Sequence, residues 1–177
     1  MTPSNSTPTA DPPSSSADDS APRRKVGLSD AHVATDGATL VTSGLGSCLG
    51  VALSDPDAGV GGLLHAMLPA AEDRPGADEK FVVEGTDAVL EAMRAAGADP
   101  GAVEARIAGA ARMIDFDAGE TGSVGERNVA AAERTLADRG IPLVAADTGG
   151  DRGRSLRFDT AAGTLHVSYA GGDRVVL

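Results

Sequence analysis

Two residue types in this chain could form a thiol catalytic pair. Cys48 is its only cysteine and lies in a Gly-Leu-Gly-Ser-Cys turn, and His65 lies on a short apolar run further along the chain. An imidazole can take the proton of a thiol, lowering the thiol pKa, and the thiolate can then attack an acyl carbon. A lone cysteine is more often a small core residue, and a lone histidine a satisfied polar one. These two residues alone therefore leave a catalytic pair and a structural role both open.

A β-hairpin is predicted to bring the two residues together. Two apolar runs are joined by Asp55–Gly59, a Pro/Gly/Asp segment typical of a hairpin loop. If those five residues are the whole loop, Cys48 falls opposite Ala66, one position from His65. A β-bulge at Gly61-Gly62 would correct this offset, and opposed side chains have Cβ atoms about 5 Å apart. The hairpin can then build a Cys–His pair.

Glycines surround the thiol in the sequence. Gly44, Gly46 and Gly50 occupy positions where a strand would favour side chains. Such glycines let the backbone approach a substrate, and free amides near Ser47 and Cys48 could hold an oxyanion. We therefore take Ser47 and Gly46 as candidate oxyanion or substrate-binding residues. The alternative is a tight turn entering a strand.

This stretch resembles the active-site segment of the CheD family, the chemoreceptor glutamine deamidases of bacterial and archaeal chemotaxis. That family carries a Thr, then a Gly-Ser-Cys turn, then a His followed closely by Leu-Pro. Here Thr42 lies six residues before Cys48, and His65 lies seventeen residues after it. This spacing matches the family's Thr–Cys–His triad, so the resemblance implies Cys48, His65 and Thr42 as catalytic residues.

The likeness extends from about Val26 to the C-terminus. Glu126-Arg127-Asn128-Val129 matches the family's Gly-Glu-Arg-Asn-Val signature, and residues 147–154 resemble its Gly-Gly-x-x-Gly-Arg loop. Residues 108–110 depart from the family, because Ala-Gly-Ala replaces an aromatic followed by Gly-Gly-Ala. For Arg127 we favour a salt bridge over a direct role in binding substrate.

The resemblance implies a protein-glutamine glutaminase, a hydrolase that converts glutamines on the cytoplasmic helices of methyl-accepting chemoreceptors to glutamate. It also implies binding to the CheC phosphatase. Two alternatives stay open: another thiol amidase or peptidase that shares the triad chemistry, and a non-catalytic chemotaxis regulator that binds receptor or CheC. Ammonia release without backbone cleavage would distinguish a deamidase from a peptidase. Loss of turnover in Cys48→Ala would distinguish an enzyme from a non-catalytic regulator.

Composition restricts the partners and the location. Twenty-six acidic residues against fifteen basic ones give a net charge of −11, which disfavours nucleic acid. The two lysines among those basic residues suggest adaptation to high salt, as in a halophilic archaeon. One cysteine suits a reducing cytoplasm, and no signal peptide or membrane span is evident. Without CxxC, HExxH or GxGxxG motifs, we predict no metal site and no cofactor.

The fold predicted is an α+β domain: a layered sandwich of mixed β-sheets with two main flanking helices, as the family resemblance also implies. Apolar spacing and flanking glycines place the helices at residues 81–96 and 124–139, the second with a Ser123–Glu126 capping box. Residues 1–24 are Ser-, Pro- and Asp-rich and are predicted to be a disordered tail. Residues 25–177 then form a single catalytic domain.

Overall fold

The computed structural model describes residues 21–112 and 122–177. In those ranges the strands are β1 (Arg23–Lys25), β2 (Asp30–Ala34), β3 (Thr39–Leu45), β4 (Leu49–Asp55), β5 (Val60–Ala66), β6 (Glu104–Gly109), β7 (Leu143–Thr148), β8 (Arg154–Asp159), β9 (Thr164–Tyr169) and β10 (Arg174–Val176). The α-helices there are α1 (Val82–Ala95) and α2 (Val124–Asp138), and a 3₁₀ turn at Asp78–Lys80 precedes α1. The tail prediction falls mainly on residues 1–20, outside the described ranges.

The strands form two five-stranded sheets. The order is β2-β5-β4-β6-β7 in what we call the central sheet and β1-β3-β8-β9-β10 in the outer sheet. Both are mixed, because β6 pairs with β7 and β1 with β3 in parallel while the other neighbours are antiparallel. The helices pack on the central sheet, so the layers run helices, central sheet, outer sheet. This arrangement confirms the predicted layered α+β fold.

Strand alternation divides the core between two layers. On β4 and β5, residues such as Leu49, Val51 and Leu64 face the helices and join one apolar cluster. Their neighbours Ala52 and Leu63 face the outer sheet and join a second. Because successive side chains point to opposite faces, a strand buried on both faces becomes apolar throughout. The central hairpin is accordingly buried along its whole length.

The helices begin and end close to their predicted positions. Ser123 caps α2 by accepting a hydrogen bond from the amide of Glu126, whose carboxylate accepts one from the amide of Ser123. The capping box is therefore present as predicted. On α1, the predicted apolar stripe of Val82, Val89 and Met93 is buried against the central sheet.

Strand placement differs from the sequence prediction at the N-terminal end and at the C-terminus. The short, partly β-branched segments 26–34 and 38–41 predict two strands, joined by an Asp36-Gly37 turn, that lead into the Gly-rich turn. Instead β2 pairs with β5 in the central sheet, while β3 pairs with β1 and β8 in the outer sheet. The Asp36-Gly37 turn therefore connects two sheets. The three-residue strands β1 and β10 were not predicted, because they are too short to show a pattern of alternation.

Candidate active site

The central hairpin places His65, but not in the predicted register. Strands β4 and β5 pair without interruption from Leu49↔Ala66 to Asp55↔Val60, so His65 lies opposite Gly50. The predicted bulge at Gly61-Gly62 is wrong. A Cβ at Gly61 would lie 2.7 Å from Cβ of Thr160, and one at Gly62 would lie 2.6 Å from a methyl of Val89. These glycines allow close packing on both faces of a regular strand.

His65 points from the central sheet towards the outer sheet, where it meets Thr42 of β3. Oγ1 of Thr42 lies 2.8 Å from Nδ1 of His65. Both residues are buried, with 4% and 2% of their surface exposed. Gly50, which pairs with His65, has no room for a side chain, because a Cβ there would collide with Cδ1 of Leu156 in the outer sheet. Gly50 therefore permits close approach of the two sheets, whereas we had expected it to give a substrate access.

The other ring nitrogen of His65 is available for proton transfer. Nε2 is buried and has no hydrogen-bond partner among residues 21–112 and 122–177. Burial lowers the pKa of His65, because the charged imidazolium is less stable away from water. Thr42 orients the ring but carries no charge that would stabilise an imidazolium. The resting imidazole is thus neutral near pH 7, the form that can accept a proton.

Cys48 lies one residue before β4 and is partly exposed, with a free thiol. Burial raises its pKa, and its own backbone N–H offsets part of the rise. Because Nε2 of His65 has no partner, the thiol and the imidazole are not hydrogen-bonded in this state. The ion pair expected from the sequence is not seen among the described hydrogen bonds, and the directions of both pKa shifts favour the neutral thiol and imidazole. The pair is neutral at rest.

The turn that carries Cys48 is anchored by its carbonyl groups. The amide of Ala110 donates to the carbonyl of Cys48 at 2.7 Å, and the amide of Ala111 donates to that of Gly46 at 2.8 Å. No residue within 21–112 or 122–177 accepts a backbone hydrogen bond from the amides of Ser47 or Cys48. These two N–H groups are therefore free to stabilise an oxyanion.

Asn128 connects the two segments that bear the thiol and the imidazole. Its side-chain Nδ2 donates to the carbonyl of Ser47 and to the carbonyl of Met67, both at 3.0 Å. The residue is fully buried, and its Oδ1 has no hydrogen-bond partner in the described part of the chain. Ser47 precedes Cys48, and Met67 lies two residues after His65. One amide group thus fixes the distance between the two halves of the site.

Two glycines let α2 and β6 reach the catalytic turn. A Cβ at Gly109 would lie 2.5 Å from the carbonyl oxygen of Cys48, and one at Gly125 would lie 2.6 Å from the carbonyl oxygen of Ala110. Residue types and spacing alone assign Asn128 no role. The signal that pointed to it was the Gly-Glu-Arg-Asn match, in which Gly125 allows the close approach and Asn128 makes the bridge.

A buried arginine ties the outer sheet to the strand ends beside the site. Arg154 donates to the carbonyls of Gly149 and Gly109 and pairs with the carboxylate of Asp147 at 3.1 Å. Its guanidinium also lies over the ring of Tyr169, whose hydroxyl donates to Asp147. The Gly-rich loop that resembles the family's therefore holds a structural cluster.

The remaining candidates lie apart from this cluster. Arg127 makes no ion pair with a described carboxylate, and its buried Nε has no hydrogen-bond partner, so the expected salt bridge is not found there. The structure groups no three potential metal-ligating side chains within 21–112 and 122–177. Over the same ranges, no helix combines the length and apolar character needed to cross a bilayer.

The chain is similar to proteins of one family. A family model described as CheD chemotactic sensory transduction matches residues 67–169. The probable chemoreceptor glutamine deamidase CheD of Natronomonas pharaonis is 44% identical over 162 residues, covering 90% of this chain and 95% of the relative. Its Haloarcula marismortui counterpart is 44% identical over 165 residues, covering 92% and 94% of the two chains.

Similarity of this extent also reaches a bacterial protein. The probable chemoreceptor glutamine deamidase CheD 2 of Geobacter metallireducens is 47% identical over 146 residues, covering 80% of this chain and 90% of the relative. These matches span nearly the whole length of each relative and, with the family model, confirm the resemblance seen in the sequence. The chain belongs to the CheD family.

Proposed function

We infer that this protein is a chemoreceptor glutamine deamidase in which Cys48 is the nucleophile, His65 the acid–base and Thr42 the residue that orients the imidazole. The observation that carries the assignment of roles is the buried Thr42–His65 contact, which leaves Nε2 unpaired next to the turn of the only thiol. The names of the relatives supply the substrate class, glutamine side chains of chemoreceptors.

The first half of the reaction forms a thioester. Nε2 of His65 accepts the proton of the Cys48 thiol as the sulfur attacks the carboxamide carbon of glutamine, and the C=O electron pair moves to oxygen. The imidazolium then donates its proton to the amide nitrogen. When the oxyanion collapses, the C–N bond breaks and ammonia leaves. Because the thiol and imidazole start neutral, attack and proton transfer are coupled.

The second half returns the enzyme to its starting state. Water attacks the thioester carbon while Nε2 of His65 takes one of its protons, and the C–S bond breaks as the imidazolium protonates the departing sulfur. The products are glutamate and free Cys48. Throughout, Nδ1 must carry a hydrogen for Nε2 to be the basic nitrogen, so Nδ1–H donates to Oγ1 of Thr42. The hydroxyl oxygen of Thr42 can accept this hydrogen bond, so the contact is compatible with the tautomer that the reaction requires.

The oxyanion of both tetrahedral intermediates is held by the free amides of Ser47 and Cys48. The turn conformation leaves these two amides without a backbone acceptor. That conformation is held by hydrogen bonds from the amides of Ala110 and Ala111, just after β6, to the carbonyls of Cys48 and Gly46. Gly46 contributes by its backbone only. Donors fixed in advance stabilise the charge without reorganisation, and removing one such donor typically costs about 10²–10³-fold in kcat.

The partners follow from the same assignment. The substrate is the helical cytoplasmic part of a chemoreceptor, where deamidation creates a glutamate, and the enzyme acts in the cytoplasm, where that part lies. A CheC-type phosphatase is a further partner on the basis of the family resemblance. The reaction needs no metal or cofactor, because thiol, imidazole and water account for every bond.

The test is the intact mass of a purified chemoreceptor cytoplasmic fragment after incubation with the full chain. Each deamidation adds about one dalton through exchange of NH₂ for OH, and an equal amount of ammonia is released. Cys48→Ala should give neither signal. Cleaved receptor fragments would support a peptidase instead. Unchanged mass with wild-type protein that still binds the fragment would support the non-catalytic regulator.

A further inference from the structure

The outer sheet leaves one face uncovered by the described helices, since both pack on the central sheet. On that face lies a groove of about 520 Å³. The hydroxyl of Thr42 on β3 points inwards to His65, while residues 41–43 together line the groove from the other side of the strand. The groove and the catalytic site therefore lie on opposite faces of the same strand.

The groove is basic in a strongly acidic protein. Its charged lining consists of Arg23, Lys25, Arg157 and Arg174, joined by His166, and contains no carboxylate. The whole chain has 26 acidic and 15 basic residues. Seven of the fifteen basic residues form ion pairs with described carboxylates. Of the other eight basic residues, four line this groove.

The cations are spread across the sheet in register. Lys25 pairs with Val41, Val41 with Arg157, and Arg157 with His166, so these side chains form one row from β1 to β9. A neighbouring row contains Asp159, but its carboxylate accepts hydrogen bonds from the amides of the β8–β9 turn. The sequence alone showed only the basic cluster Arg23-Arg24-Lys25, of which Arg24 pairs with Asp36.

The spacing selects the chemistry of a ligand. Adjacent strands lie about 4.8 Å apart, so Arg23 and Lys25 on β1 are roughly 19 Å from Arg174 on β10. One phosphate or one small carboxylate cannot reach both edges. A helix of about thirteen residues spans that distance at 1.5 Å per residue and can present acidic side chains at each turn. Hydroxyl groups of serines between the cations supply further donors.

We propose that this face of the outer sheet is a docking surface for an acidic polypeptide segment, which binds Arg23, Lys25, Arg157 and Arg174 through several carboxylates. The partner is a protein, and its charge complements a basic groove whose lining contains no carboxylate. Because the groove lies behind Thr42, the docked segment leaves Cys48 accessible. This proposal concerns binding and does not depend on the deamidation reaction.

The test is fluorescence anisotropy of a labelled helical peptide of about twenty residues with glutamate on one face, titrated with the full chain. Lys25→Gln/Arg157→Gln should weaken binding about tenfold, because two exposed ion pairs are lost. The matched control is Arg94→Gln/Arg134→Gln, which removes the same charge from α1 and α2 and should change affinity less than twofold. Raising KCl from about 0.15 M to about 1 M should weaken the wild-type complex.

Two further arms identify the ligand class. Inorganic phosphate should fail to displace the peptide except through ionic strength, and vesicles containing anionic lipid should bind the wild type and the groove variant equally. Equal losses in the groove and control variants, displacement by phosphate at matched ionic strength, or vesicle binding lost only in the groove variant would each overturn the proposal. If the double variant melts early, Arg174→Gln on the exposed edge strand replaces it, with a smaller expected loss.

Discussion

Replacing Asn128 by alanine tests whether the bridge between the two catalytic segments sets the rate. The substitution removes the hydrogen bonds from Nδ2 to the carbonyls of Ser47 and Met67. All other residues of α2 and of the turn that carries Cys48 are unchanged. Because the residue is fully buried, water does not readily replace the amide. We expect a loss of activity larger than the loss of stability would explain.

The magnitude follows from these two contacts. Each hydrogen bond contributes about 1 kcal/mol, and carbonyls left unpaired in a buried site add a further penalty. The free energy of unfolding should therefore fall by about 2–4 kcal/mol. Positional error of about 1 Å between reacting groups can cost about 10²-fold. We accordingly expect kcat/KM to fall on the order of 10²-fold while the protein is still folded.

The assay combines urea unfolding with deamidation kinetics on the receptor fragment. The matched control is Leu136→Ala, which is 1% exposed and lies eight residues beyond Asn128 on the same helix, about 12 Å along its axis. It should lose about 2–5 kcal/mol of stability by creating a cavity, yet keep near wild-type kcat/KM below its melting temperature. Asn128→Asp should also impair the enzyme, because a carboxyl group has at most one hydrogen to donate.

The result that would refute this reasoning is a normal kcat/KM in Asn128→Ala at a temperature where it is folded. A loss of activity in proportion to stability in both α2 variants would have the same meaning. Either outcome would reduce Asn128 to a packing residue, and the geometry of the site would then depend on the β4–β5 hairpin alone.

Three other outcomes are expected. The rate of ammonia release should be abolished in Cys48→Ala and reduced about 10²–10⁴-fold in His65→Ala. Thr42→Ala should reduce this rate less than either. Equal losses at all three positions would contradict an orienting role for Thr42. Burial raises the pKa of the Cys48 thiol above the ordinary cysteine value of about 8.5. The rate of alkylation of Cys48 by iodoacetamide should therefore rise about tenfold per pH unit from pH 7 to beyond that value. A rate that is already constant at pH 7 would indicate a resting thiolate. Gly50→Ala should lower the melting temperature through its collision with Leu156, an overpacking cost of about 1–3 kcal/mol. Leu156→Ala should then cost less stability in the Gly50→Ala background than in the wild type, and additive losses would place the strain elsewhere.

The catalytic residues could be found without the structure, because their types and spacing are local features. Thr42, Cys48 and His65 were identified from a short segment and its likeness to one family. The capping box of α2 and the burial of the two hairpin strands are likewise local, since a cap spans four residues and a strand repeats every two. The relatives confirm the family, whereas the roles of the three side chains are still a prediction.

The register of the β4–β5 hairpin could not be predicted from the sequence. Whether Gly61 and Gly62 form a bulge or a flat strand depends on what packs over them, namely Thr160 and Val89, which lie far along the chain. The protonation state of Cys48 and His65 could not be predicted from the sequence either. Residue types suggested an ion pair, but burial by both sheets favours the neutral thiol and imidazole.

By itself, the sequence determined which residues are candidates for the chemistry and which segments form helices, because both are encoded over a few neighbouring positions. Only the tertiary structure decided that β2 and β3 separate into different sheets, that Asn128 joins the turn of Cys48 to the segment after His65, and that Lys25, Arg157 and Arg174 gather in one groove. Those relations join residues up to about 150 positions apart, and the pairing of strands that creates them depends on long-range packing.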